Sequence, residues 1–180
     1  MKNFIRISEG LDVAPLLAAL AIREDLWNEH TLRTSHPGSS HGEVSDIWLW
    51  FNEVDEQNPG AVVNEIFVIP YTGWFVLPQA RPLVFDLMHR VGGVQLGRTM
   101  ITRLPPGCRI LPHADQGAPA EFFERHHIYL QGENSIFSAG EEKLKMQPGE
   151  AWWFTNRVEH DVINMGHDER IVMIVDVRVT

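Results

Sequence analysis

The stretch AWWFTNRVEHDVINMGHDERIVMIVDVR, residues 151–178, decides the fold. It holds three short apolar runs, 151–154, 158–164 and 170–178, and the last two are separated by the polar segment Met165 to Glu169. Short runs rich in Val, Ile, Trp and Phe, bounded by polar turns, are strand signals. The same texture extends upstream, where strands are predicted at 95–104, 109–113, 126–131, 134–138 and 143–146. Turns fall at Pro105-Pro106-Gly107, Gly132-Glu133-Asn134, Ala139-Gly140 and Pro148-Gly149. Eight short strands at this spacing predict two packed antiparallel sheets, a jelly roll, with helices on the outside. If 158–164 and 170–178 form a hairpin, the five-residue loop pairs Asn164 with Arg170 and turns His160 and Arg170 to one face.

Residues 1–93 read differently. Asp12 to about Asn28 has Leu16, Leu17, Leu20 and Trp27 at helical spacing, with Asp12 as a cap and Pro15 in the first turn. Residues 31–45 contain His36-Pro37-Gly38-Ser39-Ser40-His41-Gly42, which is loop chemistry. That loop reads either as a lid over a site or as an exposed connector. Asp46 to Phe51 reads as a strand, and Pro82 to Val91 as a helix stopped by Gly92-Gly93. The expectation is a single domain over 1–180, mainly β (α+β), with a helix-containing part at 1–93 and a β core at 94–180.

Composition narrows the partners. A chain of 180 residues with 44% apolar content builds one substantial core. Its net charge of −9 and lack of a basic run argue against nucleic acid. The single cysteine, Cys108, excludes an internal disulfide and a cysteine-rich zinc site. No signal peptide opens the chain, and Leu11 to Ile22 is too short to span a membrane, so a cytoplasmic protein is expected.

The chemistry sits in the strand-rich part. His113 and Asp115 stand two apart, so an extended backbone points both to one side. With His160 they supply two imidazoles and a carboxylate, the facial set that holds non-haem Fe(II) and leaves positions open. Arg170 opens a Val/Ile/Met strand. A guanidinium there either holds a carboxylate ligand bidentately, or sits at an exposed strand end, or pairs with Asp168 or Glu169 beside it. In Arg125-His126-His127, the first and third residues share a face and are expected in the pocket, or else Arg125 sits at a strand end and the histidine packs in the sheet.

From Leu104 to Val177 the chain resembles the aspartyl/asparaginyl β-hydroxylase family of Fe(II)- and 2-oxoglutarate-dependent oxygenases, which includes bacterial enzymes acting on free proline. The residues carrying the likeness are Leu104-Pro105-Pro106-Gly107, His113-Ala114-Asp115 and Arg125-His126-His127. They continue with Phe154, Asn156, His160 and Asn164, and end with Arg170-Ile171 and Asp176. Asp46-Ile47-Trp48-Leu49 looks like an early family strand. The resemblance implies a double-stranded β-helix, cupin-like, with iron on His113, Asp115 and His160. It implies 2-oxoglutarate held by Arg170, Arg125, His127 and Thr102, consumed with O2 to give succinate and CO2 as an unactivated C–H is hydroxylated. Animal peptidyl-aspartyl hydroxylases have glycine where this chain has Asp115, so the bacterial branch is the nearer likeness.

The expected substrate is a small molecule, an amino acid or a peptidyl side chain. Arg103, Trp153 and Arg157 are candidate substrate residues; Arg98, like Arg103 and Arg157, either meets a substrate carboxylate or lies on the surface. His36 and His41 are candidates to cap the mouth of the pocket. Two other classes fit the same scaffold. One is a cupin-like metalloenzyme, an isomerase or a dioxygenase without a 2-oxo acid. The other is a non-catalytic jelly-roll binding module. Neither needs the arginines, and the module does not need the triad.

Overall fold

The computed structural model describes residues 2–55 and 57–180. Among the described residues, eleven strands run β1 (Phe4–Ser8), β2 (Ser45–Phe51), β3 (Ile69–Pro70), β4 (Gly93–Leu104), β5 (Arg109–His113), β6 (Glu124–Gln131), β7 (Ser135–Ala139), β8 (Glu142–Leu144), β9 (Ala151–Phe154), β10 (His160–Asn164) and β11 (Arg170–Val179). The helices are α1 (Ala14–Ala21), α2 (Leu32–Ser35), α3 (Thr72–Val76), α4 (Ala80–Val91) and α5 (Ala118–Phe122). A seven-stranded sheet in the order β1-β9-β6-β11-β4-β2-β3 faces a four-stranded sheet in the order β5-β10-β7-β8. This is the expected mainly-β jelly roll.

Strand β11 organises both cores. Ile171, Met173, Val175 and Val177 pack on one face with Leu16 and Leu20 of α1 and Leu83, Val84 and Leu87 of α4. Val172 and Ile174 face the smaller sheet, with Met100, Tyr129, Phe137, Phe154 and Val162. Because side chains alternate along a strand, Arg170 and Asp176 fall on that same inner face, and both are buried. The helix α4 ends as its sequence demands: Gly92 takes φ 67, and its N–H bonds the carbonyls of His89 and Met88.

Two expectations, the hairpin and the long first helix, change, and two are filled in. Strands β10 and β11 do not form a hairpin. β10 pairs with β5 and β7, and β11 pairs with β4 and β6 in the other sheet. Five residues cross from one sheet to the other, and His160 and Arg170 line the same cavity from different sheets. The helix expected over 12–28 stops at Ala21, followed by a single 3-10 turn at Glu24–Leu26. Arg23 leaves helical geometry at φ −122 and ψ 51, its fork gripping Asp25 at 2.8 Å, which turns Leu26 and Trp27 into the core. Residues 1–93 are more than a helical preface, since β1, β2 and β3 complete the larger sheet. The 31–45 loop contains the short helix α2 and is fastened by Arg33, whose fork grips Asp46 at 2.6 and 2.8 Å.

Candidate metal centre and its pocket

His113 ends β5 and His160 begins β10, and the two are direct cross-strand partners. Facing residues on antiparallel strands lie close, so pairing alone brings the imidazoles together, with ring centroids 4.3 Å apart. Nδ1 of His113 lies 2.8 Å from the Leu111 carbonyl, and Nδ1 of His160 lies 2.9 Å from the Val158 carbonyl. A ring nitrogen facing a carbonyl carries the proton, which leaves each Nε2 as a lone-pair donor. Asp115 Oδ1 is 3.7 Å from His113 Nε2. The ligand atoms of all three residues lie within 4.8 Å of one another. Two neutral imidazoles and one carboxylate on one side of a cavity suit a hard-to-borderline divalent ion with open positions, and Fe(II) fits that set.

The carboxylate is held from behind. Its backbone N–H donates to the Asn156 carbonyl at 2.9 Å, and Oδ2 accepts from Asn156 Nδ2 at 3.0 Å. Oδ2 also accepts from Arg125 at 2.6 Å. Arg125 in turn forks onto Asp176 at 2.7 and 2.8 Å. Burial by itself would raise the Asp115 pKa. Arg125, His160, Asn156 and His113 outweigh it, and the net shift is downward. Burial likewise works against the Arg125 charge, but Asp115 and Asp176 win and hold its pKa above the ordinary value. Arg125, expected at the cosubstrate end, lines the pocket but commits three of its donors to these two carboxylates.

Arg170 is the opposite case. It is 2% exposed, and its Nε and one terminal nitrogen find no hydrogen-bond partner among the described residues. Asp168 and Glu169 do not neutralise it; Glu169 pairs with Arg103 instead. Its guanidinium lies 5.5 Å from the Tyr129 ring centroid, and burial pulls its pKa down to about 10. A buried, charged guanidinium that lines a cavity with two unpartnered donor nitrogens has the chemistry to receive a carboxylate. His127 stands beside it, stacked on Phe137 at 5.2 Å. Burial first, then Arg170 and Arg125, push the His127 pKa well down, so it is neutral, with Nδ1 unpartnered among the described residues. Thr102 also lines the cavity, and its hydroxyl lies 3.5 Å from the Val172 carbonyl.

These groups share a cavity of about 400 Å³. Phe137, Phe154, Val162, Ile174 and Met100 give it apolar walls. His36 and His41 both line it, and the His41 ring meets the His113 ring edge-on at 4.6 Å. The 31–45 loop therefore covers the metal side of the pocket, stitched to β5 by the Leu111 N–H on the Ser40 carbonyl at 2.9 Å.

The three candidate substrate residues lie elsewhere. Arg103 follows Thr102 on β4, so it points to the opposite face, where it stacks over Trp27 at 4.3 Å and pairs with Glu24 at 3.0 Å. Trp153 is out of phase with Trp152 and Phe154, which share the inner face with His127 and Arg125. Trp153 and Arg157 line a separate surface cleft beside α5. Arg98, given no firm role from sequence, does line the main cavity. Asp176, given no role from sequence, holds Arg125 against Asp115; the period of two along β11 is the signal that could have found it.

Two facing sheets around a two-histidine, one-carboxylate cluster define the class: a jelly-roll protein with a candidate facial metal site. The family model for aspartyl/asparaginyl beta-hydroxylase matches residues 76–179, more than half of the chain, and the chain belongs to that family. No curated protein matches it. Among solved structures, a prolyl hydroxylase from Trichoplax adhaerens, in complex with a hypoxia inducible factor peptide fragment, superposes with a TM-score of 0.57 at 12% identity. That likeness covers 99% of this chain and 84% of the other. A viral collagen prolyl hydroxylase from Paramecium Bursaria Chlorella virus-1 gives 0.53 at 12% identity, covering 99% and 97%. A 2OG-Fe(II) oxygenase family oxidoreductase from Burkholderia pseudomallei gives 0.53 at 15% identity, covering 97% and 93%. At these identities the likeness establishes the fold. Among the described residues no helix is long and apolar enough to cross a membrane.

Proposed function

We propose that this protein is an Fe(II)- and 2-oxoglutarate-dependent hydroxylase, acting as one oxygenase unit on an unactivated C–H of an amino acid or peptidyl side chain. His113, Asp115 and His160 hold the metal, and Arg170 takes the distal carboxylate of 2-oxoglutarate. Iron with 2-oxoglutarate and O2 supplies the oxidising chemistry, releasing succinate and CO2. The observation that carries the reading is Arg170: a fully buried cation with two donor nitrogens unpartnered among the described residues, in the same cavity as the triad. A cupin-like metalloenzyme without a 2-oxo acid has no use for such a charge.

Each side chain has a defined task. The Leu111 and Val158 carbonyls fix the tautomers that aim Nε2 of His113 and His160 at the metal. Asn156 and Arg125 occupy Oδ2 of Asp115, so Oδ1 is the oxygen turned to the ion. Neutral His127 and the Thr102 hydroxyl line the cosubstrate end as hydrogen-bonding groups that add no charge. Phe137, Phe154, Val162 and Ile174 exclude water, which strengthens the grip of Arg170 on a carboxylate. No general acid or base is assigned, because C–H abstraction needs none. With its carboxylate ligand, the site fits the bacterial branch, and a soluble cytoplasmic enzyme is the matching setting.

Anaerobic addition of Fe(II) and then 2-oxoglutarate tests this. A weak visible charge-transfer band is expected, absent in His160→Ala. Folded wild-type protein that shows no band would refute the proposal.

A further inference from the structure

Arg98 is the second cation in the cavity with no carboxylate partner among the described residues. It is held rigidly by neutral groups. Nε donates to Asn52 Oδ1 at 2.7 Å, and one terminal nitrogen donates to the Val62 carbonyl at 2.7 Å. Its guanidinium lies 4.6 Å from the Phe51 ring centroid. Asn52 is itself fully buried, with Nδ2 donating to the Glu65 and Phe67 carbonyls at 3.0 and 2.7 Å, so its oxygen has one orientation. A guanidinium has five N–H donors, and these contacts use two. Burial lowers the Arg98 pKa to about 10, so it stays charged at neutral pH.

The charge balance of the cavity shows what is missing. Arg33 is neutralised by Asp46, and Arg125 lies between Asp115 and Asp176. His41 and His127 are held neutral. Arg98 and Arg170 remain, and the group as a whole carries one positive charge among the described residues. A divalent metal raises that to three, and doubly charged 2-oxoglutarate returns it to one. The loaded site thus retains one uncompensated cation in a low-dielectric cavity, where it is costly. Arg170 is the deep socket for the cosubstrate, which leaves Arg98, cradled on the β2–β4 side with donors to spare.

We propose that Arg98 is the anchor for a carboxylate of the substrate, so that the enzyme selects an anionic substrate. This rests on the cosubstrate assignment of Arg170. The carboxylate belongs either to a free amino acid or to an acidic side chain of a peptide. Binding it would complete the neutralisation of the site, and the prefixed fork loses little freedom in doing so.

The test uses Zn(II)-loaded protein with 2-oxoglutarate, titrated with propionate and with propionamide and followed by ligand-observed NMR. Propionate is expected to bind, and propionamide to bind about 10- to 100-fold more weakly, the factor for losing a charge-assisted hydrogen bond. Arg98→Met should reduce propionate to the level of the amide, while 2-oxoglutarate affinity changes by less than about threefold. Arg98→Lys keeps the charge without the fork, and should retain part of the preference if Arg98→Met fails to fold. Equal binding of acid and amide, or propionate binding that survives in Arg98→Met, overturns the proposal. Loss of 2-oxoglutarate binding in Arg98→Met also overturns it, because Arg98 would then serve the cosubstrate. Failure of the wild type to bind 2-oxoglutarate at all would instead remove the reading on which it rests. Repeating the titration with L-alanine and with N-acetyl-L-aspartic acid α-amide identifies the source of the carboxylate by whichever binds more tightly.

Discussion

Replacing Arg170 with methionine should make the ligand-free protein more stable and blind to 2-oxoglutarate. The charged side chain is fully buried, and burial pulls its pKa down to about 10. At about 1.4 kcal/mol per pH unit, that displacement means roughly 3 kcal/mol disfavouring the cation in the folded state. Methionine has a similar reach and no charge, so most of that cost disappears. The contact with Tyr129 is lost, which returns about 1 kcal/mol. The net gain is about 2 kcal/mol, or roughly 4–8 °C in Tm for a chain of this length. The sign over pH follows from the direction of the shift. A base whose folded pKa lies below its unfolded one carries its full penalty at every pH below about 10, and loses it only as pH rises beyond that. The stability gain of Arg170→Met should therefore be constant between about pH 6 and pH 9. Wild-type Zn(II)-protein at 2-oxoglutarate one hundred times its Kd should gain about 2.7 kcal/mol, and the variant nothing. Paired thermal melts with and without 2-oxoglutarate measure both effects. A variant that melts lower than wild type without ligand, and still rises with 2-oxoglutarate, would show that Arg170 is structural and refute the socket argument.

Asp176→Asn should loosen the Arg125 clamp on Asp115 and weaken Zn(II) or Co(II) binding about 10- to 100-fold, as loss of an outer partner of a metal ligand does; unchanged affinity in a calorimetric titration would remove Asp176 from the site. His126 faces away from the cavity, and burial lowers its pKa to about 4. Its folded pKa is below the unfolded one, so stability should fall as pH drops from about 6.5 to about 4, by up to roughly 3 kcal/mol. His126→Phe should flatten that limb in urea titrations run across the same pH range, and an unaltered acid limb would count against it. Gly117 takes φ 84, and an added Cβ would collide with the Val63 carbonyl. Gly117→Ala should thus lower Tm and metal affinity together, through the turn that follows Asp115.

The inner face of the site was legible wherever one strand carried the whole argument. Period-two alternation aligned Arg125 with His127, and the pattern of β11 put Arg170 and Asp176 on one side. The same rule exposes a conflict within the sequence reading. Thr102 and Arg103 are neighbours on one strand, so both cannot enter one cavity, and the structure keeps Thr102 and Arg98 while sending Arg103 outward. The phase of Trp152 against Trp153 was not legible, because it is set by the pairing of His127 with Trp152, between strands distant in sequence.

Strands β10 and β11 lie in different sheets for a related reason. Strands close in sequence usually pair, and the five-residue loop after Asn164 invites that reading. Here Asn164 instead ties the crossing together: its amide donates to the Leu104 and Asp168 carbonyls at 3.0 and 2.9 Å, and its oxygen accepts from the Gly166 N–H at 3.1 Å. The asparagine read as a family mark is therefore what lets the chain pass from the smaller sheet to the larger one. That passage allows His160 to sit on one wall and Arg170 on the other. Had the two strands paired, metal ligand and arginine would lie along one surface. Facing each other across the gap between two sheets, they can hold a small dianion at both ends and keep water from both.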